Sequence, residues 1–127
     1  MTVGVGLPHD AAKLHVTGRA LYIDDIPVPA NTLHLAFGLS EIAYGEIISM
    51  DLRAVETSPG VEGILTARNI PYINDISPVA GDEPLLSKGL VYYVGQPIFL
   101  VIAKTHLEAR KAARKAKIIY KTLKPIL

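Results

Sequence analysis

The 127-residue sequence contains no cysteine. That excludes disulfides, a thiolate nucleophile, and zinc or iron–sulfur sites held by cysteine. Long apolar runs are also missing. Pro97 to Ala103 is among the longest, far short of the roughly 20 residues a membrane-crossing helix needs. The opening MTVGVGLPHDAAK has no charged segment leading into an apolar one, so no signal peptide is expected. A cytoplasmic location is the expectation, with no membrane partner. Net charge is small, formally +1. No internal repeat or low-complexity tract is visible, and there is no Walker lysine motif, no GxSxG elbow and no third glycine to extend Gly4-Val5-Gly6 into a dinucleotide loop.

What is present suits a folded domain. Half of the residues are hydrophobic, enough to build a core and too many for a disordered segment. The length fits one domain over residues 1–127. Charge is spread unevenly: residues 1–103 hold 5 basic and 11 acidic side chains, and residues 104–127 hold 8 and 1. Such asymmetry can mark an anionic partner. A solvated helix face accounts for it more simply, and no nucleic-acid partner is expected.

Residues 1–30 are punctuated by Pro8, Gly18, Asp24-Asp25, Pro27 and Pro29. They read as an extended arm with one short strand near Ala20 to Ile23. Leu33 to Ser40 alternates, which predicts a strand whose Leu33, Leu35, Phe37 and Leu39 face the core. Gly38 on its other face leaves room for a close approach. Glu46 to Met50 is a second strand. Asp51 can cap a short helix, Leu52 to Thr57, which Pro59-Gly60 ends. Val61 to Thr66 is a third strand. Asn69 to Pro84 is a long loop, of a length that often contacts another domain.

Val91 to Val94 predicts a short strand and Gly95-Gln96-Pro97 a turn or bulge. Pro97 to Ala103 reads as a central strand covered on both faces. Thr105 and Glu108 fit a capping box, with Thr105 accepting from the N–H of residue 108 and Glu108 from that of residue 105. The helix over 105–117 carries a stripe of Ala109, Ala112, Ala113 and Ala116, and Arg110, Lys111, Arg114 and Lys115 on its other face. Lys117 to Lys121 returns as a strand, a spacing that predicts a right-handed βαβ unit. The fold class is therefore α/β or α+β, with about six short strands and two main helices. The apolar ending Ile118 to Leu127 suggests that the natural chain continues.

Little of this carries chemistry. His9, His15, His34 and His106 match no metal-ligand spacing. His9, Asp10 and His15 could gather only if the arm folds back. Asp24-Asp25 and Asp82-Glu83 could do acid–base work in a pocket, but both lie beside prolines, where solvated turn residues are the default. Ser40, Ser49, Ser58, Ser77 and Ser87 have no recognisable partners, and Tyr120 is the one aromatic near the basic helix. No catalytic, cofactor-binding or metal residue is assigned.

Certain segments nevertheless form a recognisable order. Leu7 to Ile47 carries Pro8-His9-Asp10, His15-Val16-Thr17-Gly18, Tyr22-Ile23-Asp24-Asp25, Leu33-His34 and Ser40. Pro59-Gly60-Val61, Ile70-Pro71, Asn74-Asp75, Asp82 to Leu86 and Val94 to Pro97 follow, and ARKAARKAKIIYKTLKPIL closes the chain. This series resembles the start of the molybdenum-binding subunit of bacterial xanthine dehydrogenases, within the aldehyde oxidase/xanthine dehydrogenase family. Tyr44, where histidine is common, and Lys121-Thr122, where acidic residues are common, depart from that pattern.

The resemblance implies an N-terminal α/β-hammerhead domain of class α+β. It implies a parent enzyme that hydroxylates hypoxanthine and xanthine to urate at a molybdenum–molybdopterin centre, passing electrons through 2Fe–2S clusters to FAD and NAD. The glutamate and pterin contacts of that chemistry lie beyond residue 127, so this segment would be an inactive scaffold. Its partners would be the later molybdenum-binding domains and the iron–sulfur/FAD subunit. The arm and the loop 69–84 would bind them, or would pair with a second copy of the segment. Two alternatives stay open: a free-standing module that binds an anionic partner through helix 105–117, and a small enzyme using Asp24-Asp25 or Asp82-Glu83.

Overall fold

The computed structural model describes residues 3–79 and 81–124. Residues 125–127, the end of the apolar stretch read at Ile118 to Leu127, lie outside them. The chain divides into two compact units, Met1–Ala30 and Asn31–Leu127.

The first unit contains a short helix α1 (Ala12–Val16) and a 3-10 turn at Ile23–Asp25. The strand expected near Ala20 to Ile23 does not form. The Asp25 carboxylate accepts from the Tyr22 N–H at 3.0 Å instead, and this local bond bends the chain into a turn. Helix α1 buries none of its residues.

The second unit is α+β, with its strands in two three-stranded antiparallel sheets among the described residues. They run β1 (His34–Leu39), β2 (Gly45–Asp51), β3 (Val61–Thr66), β4 (Leu90–Val91), β5 (Pro97–Ala103) and β6 (Lys117–Thr122). Helix α2 (Arg53–Glu56) sits between β2 and β3, and α3 (His106–Ala113) between β5 and β6. The first sheet has the order β1-β5-β3, the second β4-β2-β6. The expected βαβ unit is absent: β6 pairs antiparallel with β2. The reason is spatial. Both edges of β5 are already taken, by β1 and β3, so the strand after α3 cannot pair with β5, and it joins the other sheet beside β2.

Helix α3 stops at Ala113, short of the residue 117 read from the sequence, because the chain turns there to enter β6; Lys115 N–H donates to Ala112 O at 2.9 Å. At its start the Glu108 N–H donates to Thr105 Oγ1 at 3.2 Å, as expected. Glu108 does not reach the Thr105 N–H; its Oε2 accepts from the Thr105 hydroxyl at 2.8 Å. The strand read at Val91 to Val94 is cut to Leu90–Val91. Beyond it the backbone is diverted: the Tyr92 N–H donates to Gln96 Oε1 at 2.7 Å, and Gly95, at φ +88°, donates to Ser40 O. Helix α2 is shorter than the expected Leu52 to Thr57, and its N-cap is Leu52, with no side-chain cap bond, rather than Asp51; Asp51, one residue earlier, accepts from the Arg53 N–H through Oδ1 at 3.1 Å. The helix ends with Thr57 as its C-cap, and Gly60, at φ +75°, turns the chain into β3.

The core lies where α3 crosses β1 and β5. Phe99, Val101 and Ala103 of β5 point into it, with Val55 and the helix residues Ala109 and Ala112. Phe99 is 1% exposed, and burying such a side chain contributes about 1.5–3 kcal/mol. The small alanines let α3 lie close to the sheet, which is what their stripe predicts.

Candidate functional site

Strand β1 inverts the expected orientation. Ala36, Gly38 and Ser40 are buried, while Leu35, Phe37 and Leu39 are 53%, 47% and 48% exposed. Period-two alternation establishes two faces but not which one the core takes. Here the helix decides. A close-lying alanine helix leaves no room for leucines, and the Phe99 ring fills the space above Gly38, where a Cβ would collide with it. The close approach expected at Gly38 is made by that ring.

The leucine face therefore points away from α3. Antiparallel pairing sets Leu35 opposite Ile102 and Phe37 opposite Leu100 on β5, and Leu100 opposite Leu65 on β3. Residues directly paired share a face, so these side chains form one continuous apolar surface across three strands. Leu33 and Leu65 are exposed, and Leu100 and Ile102 are half-buried. The expectation that β5 is covered on both faces is corrected: its Phe99 face is covered and its Leu100 face is only partly so.

The loop 69–84 adjoins this surface. Asn74 is buried and ties the loop to residue 86: its Nδ2 donates to Leu86 O at 2.6 Å and its Oδ1 accepts from the Leu86 N–H at 3.0 Å. Asp75 accepts from the Ser77 N–H at 2.8 Å, and that bond holds its carboxyl below the usual range. Toward the end of the loop, Asp82 and Glu83 line an open cleft of about 700 Å³ with Phe37, Tyr92, Tyr93 and Gln96. Tyr72, Ile73 and Val79 of the loop stand exposed.

Other sequence candidates stay apart from this surface. Asp24 and Asp25 lie in the 3-10 turn of the first unit. His9 and His15 rings sit 6.3 Å apart there, and His15 Nδ1 lies 3.4 Å from the Tyr22 hydroxyl. Among the described residues no three His, Cys, Asp or Glu side chains gather as a metal site. His34 and His106 rings lie 6.5 Å apart. Lys115 donates to Ser58 Oγ at 2.9 Å and so ties the end of α3 toward α2.

A second cavity, of about 370 Å³, escaped sequence reasoning. It opens between β1, α3 and β6, and Ser40, Glu41, Phe99, Arg110, Arg114 and Tyr120 are among its walls. The Tyr120 hydroxyl is buried without a hydrogen-bond partner among the described residues, and burial pushes its pKa up although Glu41 and Ser40 lie beside it. The signal was available as Tyr120 following the Arg110/Arg114 pair, but only the fold of β6 back beside β1 brings the three together.

The comparisons with known proteins agree on one family. A model described as the aldehyde oxidase and xanthine dehydrogenase a/b hammerhead domain matches residues 17–124. The chain is similar to xanthine dehydrogenase 1 of Arabidopsis thaliana, 44% identical over 126 residues covering 99% of this chain and 9% of that protein. It is 39% identical to aldehyde oxidase 1 of Bos taurus, again over 98% of this chain and 9% of the relative. Among solved structures, the aldehyde oxidoreductase of Desulfovibrio desulfuricans superposes with a TM-score of 0.85 at 29% identity, covering 93% of this chain and 14% of that one. The chain thus spans about a tenth of the length of the curated relatives it matches.

Proposed function

Because the chain belongs to the aldehyde oxidase and xanthine dehydrogenase hammerhead-domain family, we propose that it serves as the scaffold and interface domain of a longer molybdenum hydroxylase of the xanthine dehydrogenase type. In this reading residues 1–127 are one domain of the molybdenum-binding part and residues 1–30 are an arm that lies on its neighbours. The observation that carries the reading is the outward apolar surface of β1, β5 and β3. Surfaces of this kind on soluble proteins mark an interaction site, and a chain a tenth as long as its relatives leaves much protein to cover it.

The whole enzyme, in this proposal, hydroxylates purines with molybdenum–molybdopterin, 2Fe–2S clusters and FAD. The chain has no cysteine to hold a cluster, and its described residues gather no set of three His, Cys, Asp or Glu side chains for a metal ion. No residue of the chain is assigned to catalysis or cofactor binding, and no step of the reaction is placed on it. Its partners are the later domains of the same protein and the iron–sulfur/FAD subunit or domain, in the cytoplasm. Among the described residues no helix is long and apolar enough to cross a membrane.

The test is a double substitution, Leu35→Asp with Leu39→Asp, made in the longer protein and in the 127-residue chain. The reading expects the longer protein to lose assembly and turnover while the short chain keeps its fold. Normal assembly and turnover of the doubly substituted longer protein would refute it.

A further inference from the structure

The cavity beneath Arg110 and Arg114 is not needed for the scaffold role, and its lining has a definite chemistry. Arg110 lies on α3 and Arg114 is its C-cap residue, still helical in backbone, so the two stand one turn apart on one face. Neither makes an ion pair among the described residues, where the cations that do are Arg53, Lys104 and Lys121, along with a His9–Asp10 contact. The Tyr120 hydroxyl is buried with no hydrogen-bond partner among the described residues. A buried donor left unmatched typically costs about 1–3 kcal/mol, so an acceptor that fills the cavity recovers that loss. The Ser40 hydroxyl lies beside the phenol but is turned to Ile42, donating to Ile42 O at 2.9 Å and accepting from the Ile42 N–H at 3.2 Å. Glu41, also in the lining, offsets one of the two positive charges, which leaves one in excess. The unmatched groups are donors: two guanidinium forks and one phenol. Guanidinium forks match planar or tetrahedral oxyanions bidentately.

We propose that this cavity is a binding site for a single oxyanion group, a carboxylate or a phosphate, held by Arg110, Arg114 and the Tyr120 hydroxyl. The site would be preformed, since the backbone of β6 and the packing of α3 already fix its walls. A phenol is protonated at neutral pH, as a donor must be, and burial pushes the Tyr120 pKa further up. The inference does not rest on the scaffold reading and survives its failure.

The experiment is a thermal-shift and NMR titration of the 127-residue chain with inorganic phosphate and, separately, acetate. Chloride holds the ionic strength constant and serves as the control. A saturable rise in Tm is expected, about 5 °C at ten times the half-saturating concentration, with amide shifts at Glu41, Arg114 and Tyr120. Arg110→Gln with Arg114→Gln should weaken binding at least tenfold. Tyr120→Phe should weaken it severalfold and, being nearly isosteric, guards against misreading a folding defect. In the longer protein, loss of the phosphate response assigns the occupant to a carboxylate of that protein, and a retained response assigns it to a free anion. No saturable effect beyond chloride in the 127-residue chain, or an unchanged effect in the double variant, would overturn the proposal.

Discussion

The two faces of the sheet β1-β5-β3 are built on opposite rules. The face under α3 uses Ala36, Gly38 and Ala103 with one large ring, Phe99, and excludes water. The other face uses Leu35, Phe37, Leu39, Leu65 and Leu100 and stays partly wet. Size and burial are therefore reversed along β1: its smallest residues are the most buried. The lesson is that a strand's larger apolar face belongs to its widest gap, and a closely packed alanine helix leaves none. In the proposed reading, the large face is kept for a partner with side chains of its own.

The comparison can be broken most forcefully at Phe99. Phe99→Ala should cost the isolated chain about 3–5 kcal/mol of stability, measured by urea unfolding. A loss below 1 kcal/mol would mean that the buried face is not the core. Gly38→Val comes next. A side chain there must displace the Phe99 ring, and overpacking of this kind costs about 1–3 kcal/mol. The same assay should rank it below Phe99→Ala. On the opposite face, Leu35→Thr or Leu39→Thr should change the isolated chain by no more than about 1 kcal/mol. A larger loss would show that the outward face already packs on something within the chain.

The smallest effect concerns pH. Arg53 donates two hydrogen bonds from its guanidinium to Asp51, at 2.6 and 3.0 Å, and these hold the Asp51 carboxyl below the usual carboxylate range. A group whose folded pKa is depressed contributes stability above its unfolded pKa, near 3.8, and loses it as pH falls further. The pair is exposed, so the effect is modest. Asp51→Asn should lower stability slightly at neutral pH and make no difference at pH well below 3.8, which flattens a small part of the acid limb of the stability–pH curve.

Much of the fold could be read from local chemistry. The alternation at Leu33 to Ser40, the run Pro97 to Ala103, the Thr105 cap and the alanine stripe placed β1, β5 and α3, because each signal is confined to neighbours in sequence. What escaped depended on pairing between distant segments. The βαβ reading failed because nothing in Lys117 to Lys121 reveals that both edges of β5 are occupied. The strand at Val91 to Val94 was shortened by Gln96 and Ser40 claiming its backbone bonds. The candidate surface was seen as a set of residues but assigned to the wrong side. The signal that could have corrected it was Gly38 and Ala36 matched against Ala109 and Ala112, small against small. The cavity beside Tyr120 was hidden for the same reason, since Ser40, Arg110 and Tyr120 meet only in three dimensions.

The most direct test is hydroxyl-radical footprinting of Leu35, Phe37, Leu39 and Leu65 in the 127-residue chain and in the longer protein that contains it. The account predicts ready oxidation of all four in the short chain and strong protection in the longer one, with Phe99 protected in both. Equal oxidation of the four residues in the two proteins would contradict it, because the leucine face would then have no partner in the parent.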